Sequence, residues 1–177
     1  IARSVDESYK ENDVYHRWGF FTKLKFPLAP TRSLDLVANM ASRTHGNFFW
    51  WKSLAEATRP AESQRNGNVD SQRGNVSFSY KEFVSQDLFY TVKGVYFGNF
   101  WRDDSAGRVN NVSASHVFYG EGQVTHQTSE NNTITFGGSA NYDQVNSNIF
   151  GNHPGVGGAL YFQDDLKLIP EWKLTLG

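Results

Sequence analysis

The chain has 177 residues, of which 38% are hydrophobic and 15% aromatic, with a formal net charge of −1 and no cysteine. This length suffices for one domain. No window approaches the ~20 consecutive apolar residues of a membrane-spanning helix, and a near-neutral charge without basic clusters argues against a nucleic-acid partner. A transmembrane β-barrel is not excluded, because its apolar residues alternate with polar ones.

The first part of the chain is predicted to be a loop followed by two strands. Residues 1–14 are polar and of mixed charge, which indicates an exposed loop. Apolar and polar residues then alternate with a period of two over about 15–26 and 34–41, the pattern of half-buried β-strands. A proline-marked turn, 27–32, joins these two strands.

The middle of the chain is predicted to alternate strands with turns and long loops. The first long connection covers 43–73, and the spacing of Ser53 and Glu56 within it is that of a capping box, which predicts one helical turn before Pro60. Further strands are predicted at about 75–81, 90–97, 118–125 and 133–142. Short turns near 83–87 and 129–132 and long loops over 101–114 and 143–157 connect them.

The last stretch, 156–177, is predicted to be a β-hairpin. From Gly158 to Leu168 the even positions are mostly apolar and the odd positions mostly polar. Residues 169–171 interrupt the run, because proline has no N–H for a β-ladder and fits a turn. Asp164 is an exception on the apolar side. The sequence therefore predicts an all-β protein of about eight antiparallel strands, in one segment that covers 1–177.

Turn lengths and side-chain chemistry favour an up-and-down transmembrane barrel. Short turns alternate with long loops, as periplasmic turns alternate with extracellular loops in outer-membrane barrels. Aromatic residues fall near both ends of the strands, where interfacial girdles lie: Phe26, Tyr80, Tyr90 and Trp172 near short turns, and Trp18, Tyr96, Phe118 and Tyr142 toward long loops. The opposite face carries residues that suit a watery interior: Lys23, Lys81, Lys93, Glu121, Gln123 and Lys167.

Two other classes of protein remain open from the residues alone. A soluble β-barrel or sandwich that binds an apolar ligand has the same alternation, but its apolar positions face a core instead of lipid. A passive porin or a small structural outer-membrane barrel shares the membrane pattern without active transport.

The final hairpin resembles a known family. Its motif G-x-x-Y-F-Q-D-D-L-K-L, which starts at Gly158, is followed by W-K-L-T-L-G, which ends at Gly177. This is similar to a hairpin of the β-barrel domain of TonB-dependent outer-membrane transporters. The resemblance implies a piece of a plugged barrel of ~22 strands. It covers about an eighth of the chain, and the plug domain of the family has no counterpart in these residues.

The resemblance also implies a location and partners. The location is the outer membrane of a Gram-negative bacterium, and the activity is uptake of a scarce nutrient such as an iron chelate, haem, cobalamin or a glycan. The partners are outer-membrane lipid, the rest of the barrel and its plug, a small-molecule or glycan substrate, and the TonB energy-coupling complex through parts outside this chain.

Candidate ligand-binding residues lie in the predicted loops. Rigid aromatic side chains beside hydrogen-bonding groups recognise ligands at low entropic cost. The candidates are Phe48, Phe49, Trp50, Trp51, Trp101, Arg102, Asp103, Asp104 and His153. For any one of them, packing against a neighbouring loop is the competing interpretation.

No enzymatic chemistry, metal site or cofactor is predicted. Neighbouring residues on a strand point to opposite faces, so the Asp103–Asp104 and Asp164–Asp165 pairs cannot each converge on one substrate. The five histidines are scattered without a metal-ligand spacing.

Overall fold

The computed structural model describes residues 1–105, 108–169 and 171–177, and over these residues the protein is all-β. Its nine strands form one antiparallel sheet in which each strand pairs with the next along the chain. The strands are β1 (Ala2–Glu7), β2 (Val14–Ala29), β3 (Arg32–Gly46), β4 (Asn68–Phe83), β5 (Leu88–Ser105), β6 (Arg108–Ser129), β7 (Asn132–Ser147), β8 (Gly151–Ile169) and β9 (Trp172–Leu176). The sheet is open, with β1 and β9 at its edges.

Helical structure is nearly absent from the described residues. A single 3₁₀ turn covers Glu62–Gln64 in the connection between β3 and β4. Within the part of the chain that the structure describes, no helix is long and apolar enough to cross a membrane.

The prediction that residues 1–14 are a loop is wrong for the first half of that segment. Ala2–Glu7 forms β1, whose residues pair with residues 14–19 of β2. Every residue of β1 is exposed, so neither of its faces needed an apolar row. A strand that is solvated on both faces lacks the alternation from which strands are predicted. The described residues therefore contain nine strands, whereas the sequence predicted about eight.

Two predicted long loops, 101–114 and 143–157, consist mostly of strand residues, for the same physical reason. Of 101–114, all the described residues belong to β5 or β6, while residues 106 and 107 lie outside the described residues. Of 143–157, only residues 148–150 connect β7 to β8. These segments are polar at both odd and even positions, but their backbones continue the β-ladder. The connection within 43–73 is long, although it is confined to residues 47–67.

The pairing of the strands keeps each face of the sheet continuous from one strand to the next. Across β2 to β9, even-numbered residues pair with even-numbered ones, for example Leu24 with Leu36, and Leu36 with Phe78, except at the few strand ends where the ladder shifts register. The predicted apolar rows of separate strands therefore form one continuous face, here called the apolar face. The odd-numbered residues form the polar face, which includes the six charged or amide residues predicted to share a side.

None of the elements that the structure describes forms a second layer over the apolar face. Among the described residues of the strands, Val69 is the one buried apolar side chain, and it lies at the end of β4 next to the long connection. Phe78 is 43% exposed and Leu160 is 80% exposed, although both belong to the apolar face. The sheet thus has no apolar core of its own.

The connections differ between the two ends of the sheet. Residues 30–31, 84–87 and 130–131 join strands at the short-turn end, where the ladder shifts register next to Pro27, Gln127 and Lys167. Pro170, predicted to lie in a turn at this end, is outside the described residues. Connections 8–13, 47–67 and 148–150 lie at the opposite end, here called the loop end.

Asp164, the exception on the apolar side, has a polar partner. It pairs with Ile134 and Leu176 on the apolar face, as its even number requires. The Asn132 Nδ2 amide donates a hydrogen bond to Asp164 Oδ1 at 2.7 Å. This contact lies near the short-turn end, so the carboxylate is satisfied at the border of the apolar face.

Candidate ligand-recognition loop

The connection 47–67, here called the recognition loop, is held by its own backbone hydrogen bonds. Lys52 N–H donates to Arg59 O at 2.9 Å, and Ala61 N–H donates to Trp50 O at 2.9 Å. At its tip, Glu56 N–H lies 3.2 Å from Ser53 Oγ, which is the first half of the predicted capping box. The residues form a turn there and not a helix, because the tip reverses the chain within a small hairpin.

Gln64 anchors the aromatic segment of the recognition loop. Its side chain is 9% exposed, and Oε1 accepts hydrogen bonds from the backbone N–H groups of Phe49 and Trp50, both at 2.9 Å. One buried amide thus satisfies two backbone donors that no β-ladder reaches. The aromatic side chains are thereby carried on a fixed backbone.

Asn12 ties the recognition loop to the connection between β1 and β2. Its Nδ2 amide lies within 3.2 Å of the carbonyl oxygens of Asn47, Gln64 and Gly67. Asn12 adopts φ 59°, a left-handed conformation that asparagine tolerates. Gly46 passes so close to the Asn12 backbone that a Cβ at that position would collide with it. The recognition loop is therefore held at its base by Asn12 from the β1–β2 connection, which packs against Gly46 at the end of β3.

The charged groups of the recognition loop neutralise one another. Arg59 forms ion pairs with Glu56 at 2.7 Å and with Glu11 at 2.9 Å, and Lys52 pairs with Glu56 at 3.0 Å. Hydrogen bonds from Lys52 and then Arg59 hold the pKa of Glu56 below its ordinary value, and those to Glu56 and Glu11 raise the pKa of Arg59. These pairs are exposed, so they orient the tip more than they stabilise it.

Three of the four predicted aromatic residues within the recognition loop lie on its surface. Phe49, Trp50 and Trp51 are 62%, 71% and 56% exposed. Phe48 is half-buried, with Lys10 Nζ 5.1 Å from the centre of its ring. The structure therefore presents three exposed aromatic side chains on a hydrogen-bonded backbone, whereas Phe48 lies against Lys10.

The remaining predicted site residues are divided between this loop and other places. Asp103 joins it, because Asn47 Nδ2 donates to Asp103 Oδ1 at 3.0 Å. Burial, and then the nearby Asp104 carboxylate, raise the pKa of Asp103 above its ordinary value. Trp101 lies on the polar face, whereas Arg102 and Asp104 pair with each other at 3.0 Å on the opposite face. His153 is on β8, three strands from β5, with Nε2 next to the Phe150 carbonyl oxygen.

A polar network on the odd-numbered face was only partly predicted. Glu121 accepts hydrogen bonds from Tyr161 at 2.7 Å and Tyr119 at 3.0 Å, and it pairs with Lys93 at 3.5 Å. The alternation placed Tyr119 and Tyr161 on this face together with Lys93 and Glu121, but it did not predict the contacts among them. Tyr161 reaches Glu121 across β7 because Gly137 has no side chain, and a Cβ there would collide with the ring.

Gln64 and Asn12 are the functional supports that sequence reasoning missed. Both lie in polar segments without periodicity, and their contacts join residues far apart in sequence. The Asn12-Asp13 and Asn66-Gly67 pairs are turn signals that mark the places where the chain reverses. They do not reveal what the side chains bind.

The described residues contain no group of three or more histidine and acidic side chains that could hold a metal ion. No protein-family model, curated protein or solved structure matches the chain. The fold and the site together define an all-β protein with a two-faced open sheet and an organised aromatic loop at one end.

Proposed function

We propose that this chain is part of the barrel of a TonB-dependent outer-membrane transporter, with its apolar face toward lipid and its polar face toward a watery interior. The observation that carries the proposal is the continuous, exposed apolar face in one register across β2 to β9. A soluble barrel would have to seal these side chains inside. Lipid removes them from water without a protein core.

The extent of the apolar rows supports a membrane band. They cover residues 18–26 on β2 and 134–142 on β7, which matches the about 9–11 residues that a tilted spanning strand needs. Toward the loop end the even positions turn polar, as at Ser42, Gln72 and Asn146. The strands would therefore project beyond the membrane on this side.

Aromatic residues with polar tips border the proposed band. Near the short turns, Tyr80 and Tyr90 both donate hydrogen bonds to Glu82 on the apolar face, and Arg32 pairs with Glu82 at 2.8 Å. Toward the loop end, the ring of Phe118 lies between those of Tyr96 and Tyr142, at centroid distances of 5.0 and 6.4 Å. Amphipathic rings of this kind concentrate at membrane interfaces.

The recognition loop supports a transporter more than a passive pore. Phe49, Trp50 and Trp51 can stack on a flat or ring-shaped part of a ligand without losing much side-chain freedom. The compensated charges of the loop leave stacking and hydrogen bonding as the means of recognition. The polar network around Glu121 would then line the route below the loop.

The membrane orientation can be tested with tryptophan fluorescence. In single-tryptophan variants reconstituted in lipid vesicles, brominated acyl chains should quench Trp18 and Trp172, which lie on the apolar face. Trp50 in the recognition loop and Trp101 on the polar face are matched controls that should keep their emission. Equal quenching of all four, or a chain that stays soluble and unquenched, would refute the lipid-facing assignment.

Transport requires a test in cells. A strain without the gene for this chain should lose growth on one scarce nutrient from a panel of ferric chelates, haem, cobalamin and glycans. Loss of TonB should produce the same defect. Normal growth on the whole panel, or a defect that TonB does not share, would argue against active uptake.

A further inference from the structure

Three arginines meet on the polar face below the recognition loop, one from each of three neighbouring strands. Arg17 of β2 lies directly opposite Arg43 of β3, and Arg73 of β4 lies diagonal to Arg43, two residues beyond its ladder partner Ser71. Side chains directly opposite each other on adjacent strands have Cβ atoms about 5 Å apart, and diagonal ones about 7–8 Å apart. All three arginines, here called the arginine cluster, are exposed.

No carboxylate within the part of the chain that the structure describes compensates the arginine cluster. None of the three arginines forms an ion pair there. The nearest acidic residues in the ladder of this face, Asp6 of β1 and Asp103 of β5, lie toward the loop end, and Asp103 accepts a hydrogen bond from Asn47. Each arginine has a paired strand on both sides, with Ser4 of β1 opposite Arg17.

A second pair of like charges on the polar face shows how such a pair is compensated. Lys167 lies opposite Lys173, and Lys173 forms an ion pair with Asp165 at 3.0 Å. Like charges that face each other across a ladder are destabilising. The described residues offer Arg17 and Arg43 no carboxylate of this kind, which points to an anion from outside the sheet.

We infer that the arginine cluster binds an anionic ligand that carries two or more carboxylate or phosphate groups. A guanidinium presents a planar fork of donors that matches the oxygens of either group. Three forks at separate ladder positions suit several anionic groups on one ligand better than a single small ion. The inference rests on the proposed function, in which the polar face lines the route of the ligand, and it adds the charge of that ligand.

Aromatic rings and open space adjoin the arginine cluster. The Arg43 guanidinium lies 4.8 Å from the centre of the Tyr15 ring, and Trp101, a predicted candidate, lies in the same ladder row two strands away. A Cβ at Gly19, next to Arg17 on this face, would meet nothing within 4 Å. The recognition loop begins about 13 Å from Arg43 along the chain direction of β3. A ligand can therefore stack on a ring while its anionic groups reach the arginines.

Titration calorimetry of the full chain in lipid vesicles tests the inference with probes of matched size. Trimesate, a benzene ring with three carboxylates, is compared with trimesamide, in which neutral amides replace them, at about 0.15 M salt to screen distant charges. Trimesate should bind at least about tenfold more tightly, which is the effect of one charge-assisted hydrogen bond. Inorganic pyrophosphate is titrated in parallel, and the tighter of the two anions identifies the group that the arginines prefer.

Variants of the arginines locate the binding site. Arg17→Gln and Arg43→Gln should each weaken trimesate binding at least about tenfold. Lys167→Gln, which removes a positive charge elsewhere on the same face, should change it less than about twofold, because distant charges are screened. Arg43→Lys keeps the charge without the fork, so its affinity should lie between those of R43Q and the original chain. Without a probe, R17Q should unfold at the same urea concentration as the original chain or a higher one, since it removes a repulsion.

Three results would overturn the inference. They are equal affinities for trimesate and trimesamide, an equal loss of binding in K167Q and R17Q, and a lower urea midpoint of R17Q without a probe, which would mean that the arginine holds the sheet. Quenching of Trp18 by brominated lipid in the same vesicles reports the membrane location separately, so its failure would count against the proposed function instead.

Discussion

Leu36→Arg tests the orientation of the sheet at a single position. Leu36 is half-buried on the apolar face, where it pairs with Leu24 of β2 and Phe78 of β4. A lipid-facing arginine at the bilayer midplane costs about 2–4 kcal/mol. Since about 1.4 kcal/mol corresponds to tenfold in an equilibrium constant, the equilibrium constant for folding in lipid should fall by about 30- to 700-fold.

The assay is urea unfolding of the chain in lipid vesicles, with heat-modifiable migration in gels as a measure of assembly. Ser77→Arg is the matched control, because Ser77 precedes Phe78 on β4 but lies on the polar face. An arginine there should cost less than about 1 kcal/mol, as a surface substitution does. Equal losses in both variants, or no loss in L36R, would refute the assignment of the two faces.

Three further predictions concern the polar face and the recognition loop. Gly137→Ala should lower the free energy of unfolding by about 1–3 kcal/mol, because the added Cβ would displace the Tyr161 ring. Gly120→Ala is the control, since a Cβ there meets open space and should change the free energy of unfolding little; urea titration compares the two variants. Gln64→Leu should leave two backbone donors unpaired and speed proteolysis within 47–67 while the sheet remains protected, which mass spectrometry of the fragments can check. The pKa of Asp103 is raised in the folded state, so the folded state binds more protons than the unfolded state between the ordinary pKa of about 3.9 and the raised pKa. The stability of the recognition loop should therefore fall as pH rises through that window. Asp103→Asn should abolish this pH dependence in hydrogen-exchange measurements.

Alternation was sufficient to predict the parts of the strands where the two faces differ. Residues 18–26 and 134–142 have one apolar and one polar side, and both lie within strands as expected. Apolar–polar alternation does not identify strands in segments that are polar on both sides. Residues 2–7 and most of 101–114 belong to the same ladder but carry no apolar row, because the hydrogen bonds that hold them are made by the backbone of a neighbouring strand.

In the candidate site, too, features set by neighbouring residues could be predicted, whereas contacts between residues far apart in the sequence could not. The exposure of Trp50 and Trp51 follows from their place in a polar connection, and the sequence identified them as candidates. Their support does not follow, because Gln64 reaches them across a turn and Asn12 reaches the recognition loop from more than 30 residues away. Such contacts depend on the register of β2, β3 and β4, which exists only once the sheet has formed.

The register itself connects the fold to the proposed function. A one-residue slip between any two strands would move apolar side chains to the polar face, and several contacts across the ladder oppose such a slip. Tyr161 passes over Gly137 to Glu121, so that three neighbouring strands must align for one hydrogen bond. Arg32 and Glu82 pair across β3 and β4 in the same way at the short-turn end. Because the described sheet has no second layer to select its register through core packing, these cross-strand contacts, together with the short turns, keep the apolar rows on one face and the hydrogen-bonding network around Glu121 on the other.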